Sequence, residues 1–244
     1  MDFSIYSGQA DHHIEYRSVD THTGGKRSIG LQLDTWLAFD RLQEAAREEG
    51  IELLIASGFR DFDRQLAIWN AKASGERPVL NDAGAAVDIE TLSRLELAHA
   101  IMRWSALPGA SRHHWGTDLD VYDGATLSRD YALQLVPEEY DAPGPFAKLA
   151  SWLGSLVKRN EAFGFFLPYA KDSGGIAPEP WHLSYAPLAA GYQQRWGAME
   201  LRECLISADV LLSGDLMPEL DTVFSRYVNV DPTIYPEPFQ WSSV

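Results

Sequence analysis

Hydrophobic and polar positions along this chain follow two periods, one of about 3.6 residues and one of two, and they exchange often. Over residues 35–49 the apolar positions recur at helical spacing and stop before Gly50, which predicts an amphipathic helix. Ile51-Glu-Leu-Leu-Ile-Ala56 then reads as a short buried strand closed by Ser57-Gly58. A second helix is predicted over 61–73, with Leu66, Ile68 and Trp69 as apolar contacts. Asp61 and Asp63 help to start it, since carboxylates are favoured at helix N-termini. Ser74-Gly-Glu-Arg-Pro78 makes a loop, and a third helix over 92–104 is stopped by Pro108-Gly109. Residues 118–122 alternate as a strand with Asp123-Gly124 as its turn, a fourth helix runs over 146–163 and breaks before Gly164, and 181–185 is another strand. From 198 to 227 the pattern is helical again, interrupted at Ser213-Gly214 and at Pro218. Helices and short strands mix without a regular βαβ alternation, so the expected class is α+β around a small antiparallel sheet, with a mainly helical C-terminal extension. Strand order is not readable from the pattern.

Composition narrows the partners. Twenty Lys and Arg stand against thirty-five Asp and Glu, a formal net charge of -15. A surface of that sign repels nucleic-acid phosphates and anionic lipid, so neither is expected as a partner. It also leans away from polyanionic polymer and toward small soluble fragments as substrate. Cys204 is the only cysteine, which excludes an intrachain disulfide, and its apolar neighbours predict a buried, inert thiol. The first residues show no basic segment followed by an apolar one, and no stretch approaches a membrane span. A cytoplasmic location is the expectation.

Candidate chemistry is concentrated in two stretches. In Ser111-Arg-His-His-Trp-Gly-Thr-Asp-Leu-Asp120, Gly116 permits a turn that brings His113 from a loop beside Asp120 on a strand. Neutral imidazole and carboxylate are both good zinc ligands. The second stretch is Pro178-Glu-Pro-Trp-His182, where Pro180 holds Glu179 away from helical geometry. In a regular strand Glu179 and His182 would point to opposite faces, so they serve one centre only if the segment turns or bulges. Two histidines, one aspartate and a neighbouring glutamate are the inventory of a catalytic zinc: three ligands, an open position, and a base that does not ligate.

These residues resemble a known family. Ser111-x-His113-x-x-Gly116-x-x-x-Asp120 followed by Glu179-x-Trp181-His182 is similar to the zinc D,D-carboxypeptidases and D,D-dipeptidases of the VanY and VanX type, a group that includes L,D-carboxypeptidases and phage L-alanyl-D-glutamate endopeptidases. Ser57-Gly-Phe-Arg60, with Gln65 following, looks like the family's Ser-Gly-Tyr-Arg segment. The resemblance covers 30–187, leaving 1–29 as an N-terminal segment and 188–244 as an extension of unassigned role. It implies a small antiparallel sheet flanked by helices, and Zn2+ held by His113, Asp120 and His182. It implies Glu179 as catalytic base, and Arg60 stabilising a developing oxyanion or holding a substrate carboxylate. Ser111, Gln65 and Trp181 would face substrate, a short peptide with D-amino acids such as a peptidoglycan stem-peptide fragment. Phe59 stands where tyrosine is common, and Asp118 where a small residue is usual. On a strand Asp118 shares a face with Asp120, so it is a candidate partner for a ligand histidine.

The other histidines receive plainer readings. His114 is expected to face solvent or substrate, His12, His13 and His22 to be surface or disordered, and His99 to be structural on its helix. Trp181 either walls the substrate pocket or packs in the core. Two functional classes remain: a metallopeptidase, and a non-catalytic zinc module of the same shape. Glu179 favours the enzyme, because a degenerate module has no need of a base beside three ligands. D,D-cleavage, L,D-cleavage and endopeptidase activity are not separable.

Overall fold

The computed structural model describes residues 3–242; Met1, Asp2, Ser243 and Val244, the outer ends of the two flanking segments, lie outside the described residues. A first short helix, α1 (Ser4–Ser7), leads into a two-stranded antiparallel hairpin, β1 (Glu15–Asp20) and β2 (Lys26–Leu31). This hairpin is absent from the sequence reading, and the reason is visible in its faces. β1 carries no fully buried residue and β2 buries only Ile29, Gly30 and Leu31, so no apolar alternation marks it.

Helix α2 (Leu33–Glu48) buries Trp36, Phe39, Leu42 and Ala46, the stripe expected from its spacing. It ends in a Schellman arrangement: Gly50 is left-handed at φ 70°, Ile51 N–H donates to Ala46 O, and Gly50 N–H donates to Arg47 O. The chain turns at once into β3 (Leu53–Ser57) and then α3 (Phe62–Ala73), whose cap Asp61 accepts from Arg64 N–H at 2.7 Å. Helix α4 (Arg94–Met102) is shorter than its apolar pattern because a Ser93–Glu96 capping box sets its start. β4 (Asp118–Asp123) follows, then α5 (Pro137–Tyr140) and α6 (Ala147–Lys158). The fourth helix was expected to reach 163, but it stops at Lys158. Asn160 takes a left-handed φ of 55°, with Glu161 N–H bonded to Leu156 O in a second Schellman arrangement. A polar asparagine tolerates that conformation, and the apolar residues beyond it enter the sheet as β5 (Phe165–Phe166).

β6 (His182–Tyr185) completes a four-stranded antiparallel sheet in the order β3-β4-β6-β5. Its register aligns Ser57 with Asp120 and Asp120 with His182, so three polar residues from three strands form one row. One apolar cluster joins α2, β3, β4 and α6 through Trp36, Phe39, Leu42, Val121, Leu149 and Leu153. A second packs α3 and α4 against the chain's last third. That last third is helical, as expected: α7 (Ala186–Arg195), α8 (Ala198–Ile206), α9 (Ser213–Leu216) and α10 (Leu220–Val223), continued by a π-helical turn, Phe224–Val228. The break falls earlier than predicted, between Ile206 and Ser213, and Ser213-Gly214 begins a helix instead of ending one. Leu201, Leu205, Leu216 and Val223 are buried against Trp69 and Ile101, so the extension shares its core with α3 and α4. Among the described residues, no helix is long and apolar enough to cross a membrane.

Candidate metal centre

Three backbone features bring the functional side chains together. A 3-10 turn, Arg112–Trp115, precedes β4, and its cap Gly116 is left-handed at φ 68°, so the turn folds His113 back beside Asp120. The sheet register sets His182 next to Asp120. The geometric objection to Glu179 is answered by a turn: His182 N–H donates to Glu179 O at 3.1 Å, closing the turn on the first residue of β6. Glu179 therefore swings to the same side as His182, with its Oε2 3.2 Å from His182 Nδ1.

His113, Asp120 and His182 are buried, and one ligating atom from each lies within 4.8 Å of the others, a group that could hold a metal ion. Their hydrogen bonds decide which nitrogens are free. His113 Nδ1 donates to Gly58 O at 2.9 Å, since a carbonyl only accepts; its Nε2 therefore keeps a lone pair, 3.4 Å from Asp120 Oδ2. His182 Nε2 donates to Asp118 Oδ1 at 2.9 Å, leaving Nδ1 for the centre, 3.3 Å from Asp120 Oδ1. Asp120 Oδ1 is buried and has no hydrogen-bond partner among the described residues. A buried carboxylate oxygen left without a donor is costly, and a cation in front of it removes the cost. The donor set, its free lone pairs and this orphaned oxygen all fit a zinc ion.

Asp118 is the device that orients His182. It is fully buried and paired with Arg112, whose Nε donates to Oδ1 at 2.8 Å, while Thr117 Oγ1 donates to Oδ2 at 2.5 Å. Burial alone would raise the Asp118 pKa, but the Arg112 charge and the hydrogen bonds from His182 and Thr117 hold it far below the carboxylate range. Asp120 behaves likewise: burial opposes ionisation, and the two histidines outweigh it. The same carboxylates raise His182 against its own burial. Arg112 was not singled out from the sequence, because a basic residue beside two histidines carries no sign of burial. It is 2 % exposed and lies over the Trp115 ring at 4.7 Å. Tyr169, also missed, sets its ring 5.0 Å from that of His182 at 70°.

A cavity of about 330 Å³ opens over this cluster, lined by Arg60, Ser111, Glu179 and Trp181 along with the three donors. Arg60 NH1 donates to Gln65 Oε1 at 2.9 Å and NH2 to Ser57 Oγ at 3.3 Å, while its Nε is buried without a partner among the described residues. Burial lowers the Arg60 pKa, with Asp120 and Glu179 pulling the other way. Gln65 departs from its expected place on the substrate face. It is fully buried, and its Nε2 donates to Ala106 O at 2.6 Å, so both ends of the amide are used in holding Arg60. Trp181 lines the cavity, and its ring packs 5.4 Å from that of Tyr140.

Other histidines differ from expectation. His114 faces neither solvent nor substrate: it is fully buried, with Nδ1 bonded to Arg60 O and Nε2 accepting from Gly109 N–H, and burial holds it down at about 3. His22 is tied to Tyr122 and to the Tyr131 carbonyl, and His13 is half-buried against Phe59 and Tyr192, so neither is disordered. His99 is structural as expected, bonded to Tyr227 and Glu219. Cys204 is buried, and burial pushes its thiol up to about 11.

Several known proteins are similar to this chain in sequence or fold. A D-alanyl-D-alanine carboxypeptidase of Enterococcus faecalis is 28% identical over 173 residues, which is 69% of this chain and 52% of that protein. The chain thus spans about half the length of that carboxypeptidase. An uncharacterised protein of Haemophilus influenzae is 35% identical over 124 residues, 50% of this chain and 92% of its own. Among solved structures, the LdcB LD-carboxypeptidase is similar with a TM-score of 0.49 and 19% identity, covering 90% of this chain and 80% of that one. The model of the VanY family, described as D-alanyl-D-alanine carboxypeptidase, matches residues 28–188, a span that contains Arg60 and every member of the centre. On that match the chain belongs to the VanY family of D-alanyl-D-alanine carboxypeptidases, and with its two histidines and aspartate it is a zinc-dependent peptidase.

Proposed function

We propose that this protein hydrolyses short peptides ending in D-amino acids, as a D,D- or L,D-carboxypeptidase or dipeptidase acting on peptidoglycan stem-peptide fragments, with the 30–187 core carrying the site. One observation carries the reading: the turn at 179–182 sets a carboxylate that is not needed for ligation against a buried two-histidine, one-aspartate cluster at the floor of a cavity. A zinc ion held by His113, Asp120 and His182 would supply Lewis acidity, making water more acidic and a carbonyl more electrophilic. Glu179 then takes the proton of the attacking water at its carboxylate and delivers it to the nitrogen of the leaving amine. The Arg60 guanidinium, held in place by Gln65 and Ser57, presents its remaining N–H groups to the oxygen that gains charge or to the substrate carboxylate. Ser111 contributes a hydroxyl on the cavity wall, and Trp181 a flat apolar surface for the substrate backbone. The -15 net charge supports small fragments over intact anionic polymer.

The test is mass-spectrometric assay of the zinc-loaded protein against D-Ala-D-Ala, tetrapeptide and pentapeptide stems, beside Glu179→Gln. The variant is expected to keep about one zinc and to lose hydrolysis by a factor of at least about 10². Full activity in Glu179→Gln removes that residue from the base role. Zinc content unaffected by His113→Ala together with His182→Ala removes the centre altogether.

A further inference from the structure

The cavity above the centre carries a further cation, Lys72, that has no carboxylate partner among the described residues. Lys72 lies near the end of α3, about two turns beyond Gln65 on the same helix face. Its Nζ donates to Ser105 Oγ at 2.7 Å, while Gln65 Nε2 donates to the carbonyl of the next residue, Ala106. Lys72, Ser105, Ala106 and Arg60 all line the same cavity. The same lining therefore carries the Arg60 guanidinium, bonded to Gln65, and the Lys72 ammonium, bonded to Ser105, whose chain neighbour Ala106 takes the Gln65 amide.

Among the described residues no carboxylate pairs with Lys72; its hydrogen bond is to a neutral hydroxyl, and the charge felt most at its ammonium is the cation Arg77. The acids around the cavity are engaged elsewhere or exposed. Asp82 is bound by Arg103, Asp120 faces the two histidines, Glu179 faces His182, and Glu138 is exposed at the rim. In a chain with fifteen more acidic than basic groups, an unpaired, half-buried lysine facing a cavity is a departure from the mean. A lysine serving only the helix C-terminus would hold its ammonium in water. This one is drawn inward to Ser105, and burial, aided by Arg77, lowers its pKa. A desolvated ammonium with two donors to spare is suited to receive an anion.

We propose that Lys72 is a specificity residue that receives a carboxylate carried by the substrate peptide, at a point along the cavity wall removed from Arg60. The assignment rests on the peptidase reading, and it deepens that reading by naming a charge the substrate must carry. Two carboxylates of a stem-type peptide are eligible, the C-terminal one and a side-chain one. They are separated by using three peptides of one sequence: the free acid, the C-terminal amide and the side-chain amide.

Binding of each peptide to zinc-loaded Glu179→Gln protein is measured by calorimetry, and hydrolysis by wild type is followed in parallel. One of the two amides is expected to bind about ten-fold or more weaker than the free acid. Adding Lys72→Gln, which keeps a hydrogen bond to Ser105 and removes the charge, should bring that amide and the acid within two-fold of each other. Lys72→Arg should restore the preference. Whichever amide responds names the carboxylate. Equal binding of all three peptides, or amide preferences none of which Lys72→Gln reduces, overturns the assignment; loss of the side-chain preference alone supports it, with the C-terminal carboxylate then held by Arg60. Binding that follows this pattern without hydrolysis by wild type would instead overturn the peptidase reading and leave the carboxylate site standing, whereas no binding of any of the peptides overturns both.

Discussion

Replacing Arg112 by methionine tests whether one buried ion pair supports both the fold and the centre. The guanidinium makes four hydrogen bonds: to Asp118 Oδ1 at 2.8 Å, Gln193 Oε1 at 2.9 Å, Ser184 Oγ at 2.6 Å and Tyr235 OH at 3.1 Å. These partners come from β4, α7, β6 and the C-terminal segment, so one side chain joins the sheet to the extension. Methionine fills much of the volume but leaves Asp118 charged and buried, with only His182 and Thr117 as partners. Gln193 and Tyr235 lose less, because Tyr235 OH already donates to Gln193 Oε1 at 2.9 Å. The dominant loss is the broken buried pair, about 3–5 kcal/mol. At roughly 2–4 °C per kcal/mol for a chain of this size, thermal unfolding should fall by about 6–20 °C. The measurement is circular dichroism in chelator, so that metal binding does not contribute to the stability of the folded state. Adding Asp118→Leu removes the stranded charge and should recover most of the loss, although metal affinity will not return because His182 loses its orienting partner. A drop below about 3 °C in the single variant, or a double variant no more stable than the single, refutes the reasoning.

Three further outcomes are expected. Gly58→Ala would place a Cβ 2.7 Å from both Gly30 O and Ile29 Cγ2, so β2 and the 58–60 segment must part; this should cost about 1–3 kcal/mol and weaken zinc binding, since Gly58 O orients His113, as read by denaturant unfolding and metal titration. Arg103 ties Asp82, which lines the cavity, to Asp172 and to Gly175 O, the residue before the lining Ile176. Arg103→Ala should raise KM several-fold with a smaller change in kcat and speed proteolytic cleavage near 82 or 172; unchanged KM and unchanged cleavage would falsify that bridging role. Burial raises the Cys204 thiol to about 11, against a weaker lowering by Ser7, so little of the reactive thiolate exists at pH 8. Alkylation of the folded protein should be about a hundred-fold slower than of the unfolded chain and should accelerate as pH rises toward that value; equal rates in the two states contradict burial of the thiol.

Much of this protein was legible because its information is local. Helix periodicity located α2, α3 and α4, since a buried stripe writes itself into spacing, and Asp61 marked a helix start that its side chain does cap. The candidate donor set was legible from the two short motifs and the family resemblance they carry, and Asp118 from that resemblance and strand alternation. What failed was anything decided by a partner distant in sequence. The β1–β2 hairpin carries little apolar signal of its own, His114 is buried only because the chain crosses over Arg60 and Gly109, and Gln65 looks toward substrate until Ala106 is seen to take its amide. The end of α6 was misplaced because a left-handed Asn160 leaves no trace in hydrophobic periodicity.

The division is sharpest at the centre itself. The sequence alone determined the inventory of His113, Asp120, Glu179 and His182, and it even posed the right objection, that Glu179 and His182 should point apart on a strand. Only the tertiary structure decided that a turn at 179–182 brings them to one side, that Asp118 and the Gly58 carbonyl leave one nitrogen of each histidine free, and that Lys72 lines the cavity with no carboxylate partner among the described residues. The physical reason is that residue type sets what a group can donate or accept, whereas burial and the other end of each hydrogen bond are set by segments far away in the chain.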